Sequence, residues 1–253
     1  MAGPGTGKTR TLTRRLAYLV LEAGVPPERV LAVTFTNRAA GEMRERLASL
    51  LDARAAGAVT VCTFHGLGLD LLRRHAEALD LEPGFAVLDE WATTEAYALA
   101  MGEAPSKDLR KQVQAFQNAK LRTGEGAADG EAVEPADLER YDAALRTRGA
   151  VDYADLIVRP AGLLAERPEV AATERDRWAC IAVDEYQDID PRQRELLAHL
   201  TGPRTDLCAI GDPDQSIYGF RGADVSLFAA FERDHANVRR AALARSFRSS
   251  ASI

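Results

Sequence analysis

Ala2–Thr9 reads AGPGTGKT, and this stretch decides how the rest of the chain is interpreted. Glycines leave a loop's backbone N–H groups free to wrap phosphate oxygens. Lys8 adds a point charge for the outer phosphates, and the Thr9 hydroxyl suits Mg²⁺. The loop opens onto a segment, Thr9 to Ala23, with helical spacing through Leu12, Leu16 and Leu19, stopped by Gly24, Pro26 and Pro27. A helix N-terminus favours anions. Ala2 stands where the common phosphate-loop pattern has glycine. The plain alternative is a glycine-rich turn, but Gly-Lys-Thr at the head of an amphipathic helix argues against it. Such a loop normally hangs from a buried strand. Only Met1 precedes this one, so the expectation is that the holding strand is missing from the chain.

Outward from the loop, helix and strand alternate. Val30 to Phe35 (VLAVTF) and Val59 to Cys62 are short apolar runs bounded by polar residues, as buried parallel strands are. Arg38 to Ala53 has helical spacing, with Met43, Leu47 and Leu50 on one face, and a further helix carries Leu67, Leu71 and Leu72. Residues 85–150 are helical and polar, without strands, and broken at Pro105, Thr123 to Gly130 and Pro135. Ala179 to Val183 and Leu207 to Ile210 are strands again. The fold class is therefore α/β: a P-loop, mainly parallel sheet flanked by helices, with an inserted α-helical subdomain.

Two further motifs bear on chemistry. Ile181–Asp188 (IAVDEYQD) runs a buried strand into two acids, which places Asp184 at the strand's carboxyl end, where open α/β sheets bind ligands. There Asp184 would hold Mg²⁺, and Glu185 could orient or deprotonate a water. Alone this pattern is a solvated strand end; beside a phosphate loop it becomes specific. Ala209–Asp224 (AIGDPDQSIYGFRGAD) ends a strand in a polar loop carrying Gln215, Tyr218, Phe220 and Arg221. An amide such as Gln215 can sense a γ-phosphate. Exposed aromatics beside an arginine suit stacking on unpaired bases, worth about 1–3 kcal/mol per base. Tyr218 and Phe220 could equally be core residues, and both readings stand.

Composition sets limits. The 253 residues allow one large domain or two small ones, at roughly 150 per domain. A net charge of −6 excludes a uniformly basic nucleic-acid coat but not a local basic groove. No apolar run approaches the ~18 residues of a membrane span. Cys62, Cys180 and Cys208 lack metal or redox spacing and fall in strand segments, so apolar packing in a reducing cytoplasm is expected.

Taken in order, AGPGTGKT, VTFTNRAAGEM, VCTFHGLG, VDYADLI, VDEYQD, GDPDQSIYGFRGAD and SFRS resemble the UvrD/Rep/PcrA-type superfamily 1 DNA helicases over nearly the whole chain, least at 85–150. The resemblance implies two RecA-like motor domains, each with an inserted subdomain, moving 3′ to 5′ on single-stranded DNA by ATP hydrolysis. Residues 1–84 and 151–240 would form the first motor domain, 85–150 its helical insertion, and 241–253 the start of the second.

By the same resemblance Gly5, Thr6, Gly7, Lys8 and Thr9 would hold ATP and Mg²⁺, with Arg10 and Phe247 near the base. Thr9 and Asp184 would bind the metal, Glu185 would act as base, Gln215 would report on the γ-phosphate, and Arg248 would reach it across the cleft. Phe35, Asn37, His65, Tyr218, Phe220 and Arg221 would form the DNA track. Phe220 stands where a tryptophan is common, a smaller stacking face. His65 has two readings, a DNA contact or a structural histidine.

The upstream adenine-reading glutamine and the body of the second motor domain are expected to be absent, which leaves Arg248 out of position and this chain without helicase activity by itself. A chain supplying the second motor domain is then an expected partner besides single-stranded DNA, and a membrane is not. The alternative is a non-catalytic nucleotide- or DNA-binding module, such as one regulating a helicase; a small-molecule P-loop kinase leaves the aromatic loop unexplained.

Overall fold

The computed structural model describes residues 5–122 and 133–212 and, beyond them, 215, 231, 233–235, 237–243 and 245–246. The chain divides into two compact units, Met1–Phe64 with Glu169–Ile253, and His65–Pro168.

The first unit begins with α1 (Lys8–Leu21), β1 (Val30–Thr34), α2 (Asn37–Ala48), α3 (Ala53–Ala58) and β2 (Thr60–Thr63). The chain then passes through α4 (Phe64–Arg74), β3 (Ala86–Val87), α5 (Glu90–Met101), α6 (Arg110–Leu121), α7 (Pro135–Thr147), β4 (Ala150–Val151) and α8 (Asp155–Glu166). It returns with α9 (Pro168–Asp176), β5 (Cys180–Val183), α10 (Pro191–Leu200) and β6 (Asp206–Ala209). Four strands pair in the order β2-β1-β5-β6, all parallel, with Val33 level with Cys62 on one side and Val183 on the other. All four therefore end at one edge. β1 and β5 are buried at every position, which is why they read as continuous apolar runs rather than alternating ones. One sheet face, through Val30, Ala32, Cys180 and Ala182, packs with Leu12 and Leu16 of α1 and Met43 and Leu47 of α2. These elements make the α/β, P-loop type of fold. Among the described residues no helix is long and apolar enough to cross a membrane.

Strand boundaries fall within about one residue of those expected. Two helical features differ. The helix expected over Arg38–Ala53 stops at Ala48, where the Ser49 hydroxyl donates to the Arg46 carbonyl at 2.7 Å, and Asp52 caps α3 by accepting from the Ala55 N–H at 2.8 Å. Leu50 therefore leaves the apolar face of Met43 and Leu47 and is exposed. The middle segment does contain strands: β3 and β4 pair in parallel over two residues each, too short to show a period. Of the cysteines, Cys180 is buried and Cys62 and Cys208 are half-buried, all in strands and all free thiols.

The second unit is built around two contacts. Tyr97, Phe116 and Tyr141, from α5, α6 and α7, meet edge to face, with Phe116 and Tyr141 centroids 5.6 Å apart. Below them Lys120 lies 2.7 Å from Asp142, 3.1 Å from Asp152 and 2.9 Å from Asp155, and Tyr141 donates its hydroxyl to Asp152 at 2.8 Å. Burial alone would lower the Lys120 pKa, but the three carboxylates outweigh it and raise it. Burial and Asp152 push Asp155 up to about 6 against the pull of Lys120. Replacing Lys120 by Met leaves buried carboxylates without a counter-charge. Urea denaturation should register a loss of about 3–5 kcal/mol, and a loss under ~1 kcal/mol would contradict this account.

Pro160 sits inside α8 and has no N–H for the carbonyl of Leu156. Gly68 of α4 lies against that same carbonyl: a β-carbon there would come within 1.6 Å of the oxygen. Gly68→Ala should therefore force the helices apart and destabilise the chain by about 3 kcal/mol, the upper part of the usual overpacking range, read as a lowered denaturation midpoint.

Candidate functional site

The sheet's carboxyl edge gathers the residues of interest because every strand points the same way. Phe35, half-buried, and Asn37, exposed at the head of α2, follow β1. Asp184 and Glu185 follow β5; Asp212 and Gln215 follow β6.

Gly5–Thr9 runs into α1 through two positive-φ glycines, Gly5 (φ 70°) and Gly7 (φ 82°), conformations that side chains disfavour. No side chain caps α1 at Gly7, so its first N–H groups remain for an external acceptor. Thr9 donates its hydroxyl to Asp184 Oδ2 at 3.0 Å, and the buried Lys8 ammonium lies 3.3 Å from Glu185 Oε2. Burial and then the neighbouring Glu185 raise the Asp184 carboxyl, with Thr9, the Glu185 N–H and Lys8 pulling it back. Glu185 has left-handed backbone (φ 51°, ψ 49°), which ends β5 and aims its carboxylate at Lys8. A cavity of about 620 Å³ lies against these groups, bordered by residues 5–10, Arg14, Arg46, Glu185 and Gln215. That is an ordinary size for a small-ligand site.

A nucleoside triphosphate fits this arrangement: uncapped N–H groups and Lys8 suit its phosphates, and Arg10, exposed at the rim, is available to the rest. A divalent cation fits as well. The Thr9 hydroxyl and the Asp184 carboxylate are hard oxygen donors already 3.0 Å apart, and a cation would relieve the crowding of two adjacent acids. Arg46, Ser49 and Leu50 also border the cavity. Nothing in their local sequence links them to a loop some forty residues earlier.

Gln187 belongs to the IAVDEYQD motif, whose spacing assigns it no role. It is buried, and its amide bonds both Glu185 and the backbone of Asp212. Gln215 in turn donates its side chain to Asp212 and its N–H to the Asp212 carbonyl at 3.0 Å.

His65 belongs to the second unit, where its ring stacks on Tyr153 with centroids 4.1 Å apart and planes 26° apart. Burial pulls its pKa down to about 4, so it is neutral near pH 7. Tyr153 is exposed. Tyr218, Phe220, Arg221, Phe247 and Arg248 lie outside the described residues.

A parallel sheet whose edge joins a glycine-rich loop, a lysine and an acidic strand end defines a P-loop nucleotide-binding protein. Within that class the chain belongs to the family of the UvrD/REP helicase N-terminal domain, which matches residues 1–236. It is 36% identical over its whole length to an ATP-dependent DNA helicase PcrA of Leuconostoc citreum, 35% to PcrA of Staphylococcus aureus and 34% to the ATP-dependent DNA helicase UvrD1 of Mycobacterium leprae. The chain spans about a third of the length of these curated relatives, 35–36%.

The depressed His65 pKa has a measurable consequence. The unfolded chain takes up a proton near pH 6.5, whereas the folded chain resists until about pH 4. Falling pH in that window therefore favours unfolding. His65→Phe keeps a ring without a titrating nitrogen, and its stability should fall less between pH 6.5 and 4 than that of the unsubstituted chain. Parallel pH curves for the two would refute this.

Proposed function

We propose that this chain is the portion of a cytoplasmic helicase that binds ATP with Mg²⁺ at Gly5–Arg10 and hydrolyses it, the hydrolysis driving 3′-to-5′ movement along single-stranded DNA and duplex unwinding only together with a second motor domain. The reading rests first on one observation: Thr9 meets Asp184, and Lys8 meets Glu185, at the head of α1, beside a cavity that Lys8, Thr9 and Glu185 line. Family membership and relatives named ATP-dependent DNA helicases support it.

In this reading the N–H groups of residues 5–9 and Lys8 bind the phosphates, and Thr9 with Asp184 holds the metal. Bound there, Mg²⁺ would neutralise phosphate charge. Glu185 orients the attacking water and accepts its proton; Lys8, now 3.3 Å away, would transfer its charge to the phosphates and free the carboxylate for that task. Gln215 senses the γ-phosphate. Arg10 and Phe247 lie by the base, and Arg248 reaches the γ-phosphate only when the body of a second motor domain brings it across the cleft.

Residues 1–84 and 151–240 form the first motor domain, 85–150 its inserted subdomain and 241–253 the start of the second motor domain. Phe35 and Asn37, at the edge that carries the nucleotide loop, contact DNA, together with His65, Tyr218, Phe220 and Arg221.

ATP turnover with and without oligothymidylate tests the proposal. Turnover should rise with DNA, and Glu185→Gln should lower kcat by about 10²-fold or more while ATP still binds. Full activity in Glu185→Gln would overturn the role of Glu185. ATP bound but never hydrolysed would point instead to a nucleotide-binding module.

A further inference from the structure

We propose that Gln187 is a positioning residue that fixes the Glu185 carboxylate and ties it to the loop bearing Gln215. The inference rests on the hydrolytic reading above and assigns a role to a side chain that reading does not use.

Gln187 is 2% exposed, and its amide is engaged at both ends. Its Nε2 donates to Glu185 Oε2 at 3.0 Å and to Asp188 Oδ2 at 3.2 Å; its Oε1 accepts from the Asp212 N–H at 2.9 Å. The polarity is forced, since two carboxylates can only accept and a backbone N–H can only donate. The oxygen of Glu185 held by Gln187 is the one facing Lys8. That carboxylate is thus gripped from two sides, by a charge at 3.3 Å and by an amide at 3.0 Å. When Lys8 turns to a phosphate, the amide is the restraint that stays.

The far end of the amide gives the link its second function. Asp212 carries on its own carboxylate the side-chain amide of Gln215, and on its carbonyl the Gln215 N–H. The path Glu185–Gln187–Asp212–Gln215 thus connects the residue that handles water to the residue that meets the γ-phosphate, through hydrogen bonds alone. It bridges the ends of β5 and β6, which are also joined where the Tyr186 N–H donates to the Ile210 carbonyl at 3.0 Å. A displacement of Gln215 is then transmitted to the aim of the Glu185 carboxylate.

Glutamine alone meets these demands with an unbranched stem. Methionine keeps the length and loses both hydrogen-bonding ends. Glutamate sets a third carboxylate against Glu185 and Asp188 and repels both.

The 253-residue chain is assayed as such, with ATP, Mg²⁺ and oligothymidylate. Gln187→Met should bind ATP within about threefold of the unsubstituted chain and turn it over about 10- to 100-fold more slowly, a loss in kcat and not in binding. Gln187→Glu should lose more. A kcat unchanged in Gln187→Met overturns the proposal, as does a parallel fall of kcat, ATP binding and unfolding midpoint, which marks a structural role only.

A readout independent of turnover accompanies this. In ¹⁵N spectra the Gln187 side-chain NH₂ pair, assigned through bonds to its own side-chain carbons, should shift in Glu185→Ala. The Asp212 amide should exchange faster in Gln187→Met. An unmoved NH₂ pair overturns the linkage even if the methionine variant does not fold. Absence of turnover in the unsubstituted chain would defeat the hydrolytic reading instead, and the spectra would then decide the linkage alone.

Discussion

The Thr9 hydroxyl and the Asp184 carboxylate lie 175 residues apart in sequence and 3.0 Å apart in space. Everything else at the site depends on that closure. It requires β1 and β5 to run parallel with Val33 level with Val183, so that the residues after each strand emerge at one edge. It also requires α1 to pack on the sheet through Leu12 and Leu16, which fixes where the helix begins and hence where its unpaired N–H groups lie. A parallel sheet cannot be closed by short hairpins. The long excursion between β2 and β5 is therefore compatible with the site, provided its two ends return to the sheet.

The excursion carries its own organising group. Lys120 of α6 is held by Asp142 of α7, by Asp155 of α8 and by Asp152 just after β4. One ammonium thus ties together three helices and a strand end. Replacing such a cluster by well-packed apolar groups costs little stability in many proteins, whereas removing one member costs a great deal. The cluster therefore specifies how these elements are arranged more than it adds to net stability. The close approach of Gly68 to the Leu156 carbonyl sets the spacing of α4 and α8 by shape instead of charge.

Much of the sheet was legible in the sequence because parallel strands are buried on both faces, and VLAVT and CIAV show that as unbroken apolar runs. The phosphate loop was legible because its chemistry is local: residues 5–9 act together and are contiguous. Less visible was whatever depends on a partner distant in sequence. Arg46, in the last turn of α2, and Leu50, in the turn after it, both border the cavity, and Asp52, the cap that starts α3, was the available signal for that turn. Gln187 sits two residues from Glu185, yet its acceptor end finds a partner at Asp212 that no spacing rule supplies. The pairing of β3 with β4 joins residues on either side of three helices, through strands too short to carry a pattern.

Glu185 is one of few non-glycine residues with left-handed backbone among those described, a conformation that costs a side chain about 1–2 kcal/mol. Glycine, asparagine or aspartate would relieve that cost, but none carries a carboxylate far enough to reach Lys8 from the same backbone. A β-branched residue would suit the preceding strand and fail at the turn. The torsion and the reach of the side chain thus select against each other's best solutions, and glutamate is what satisfies both. The second residue past the strand is consequently a place where added stability and retained chemistry pull in opposite directions, so a search for more stable variants of this chain would be drawn to a position it should leave alone.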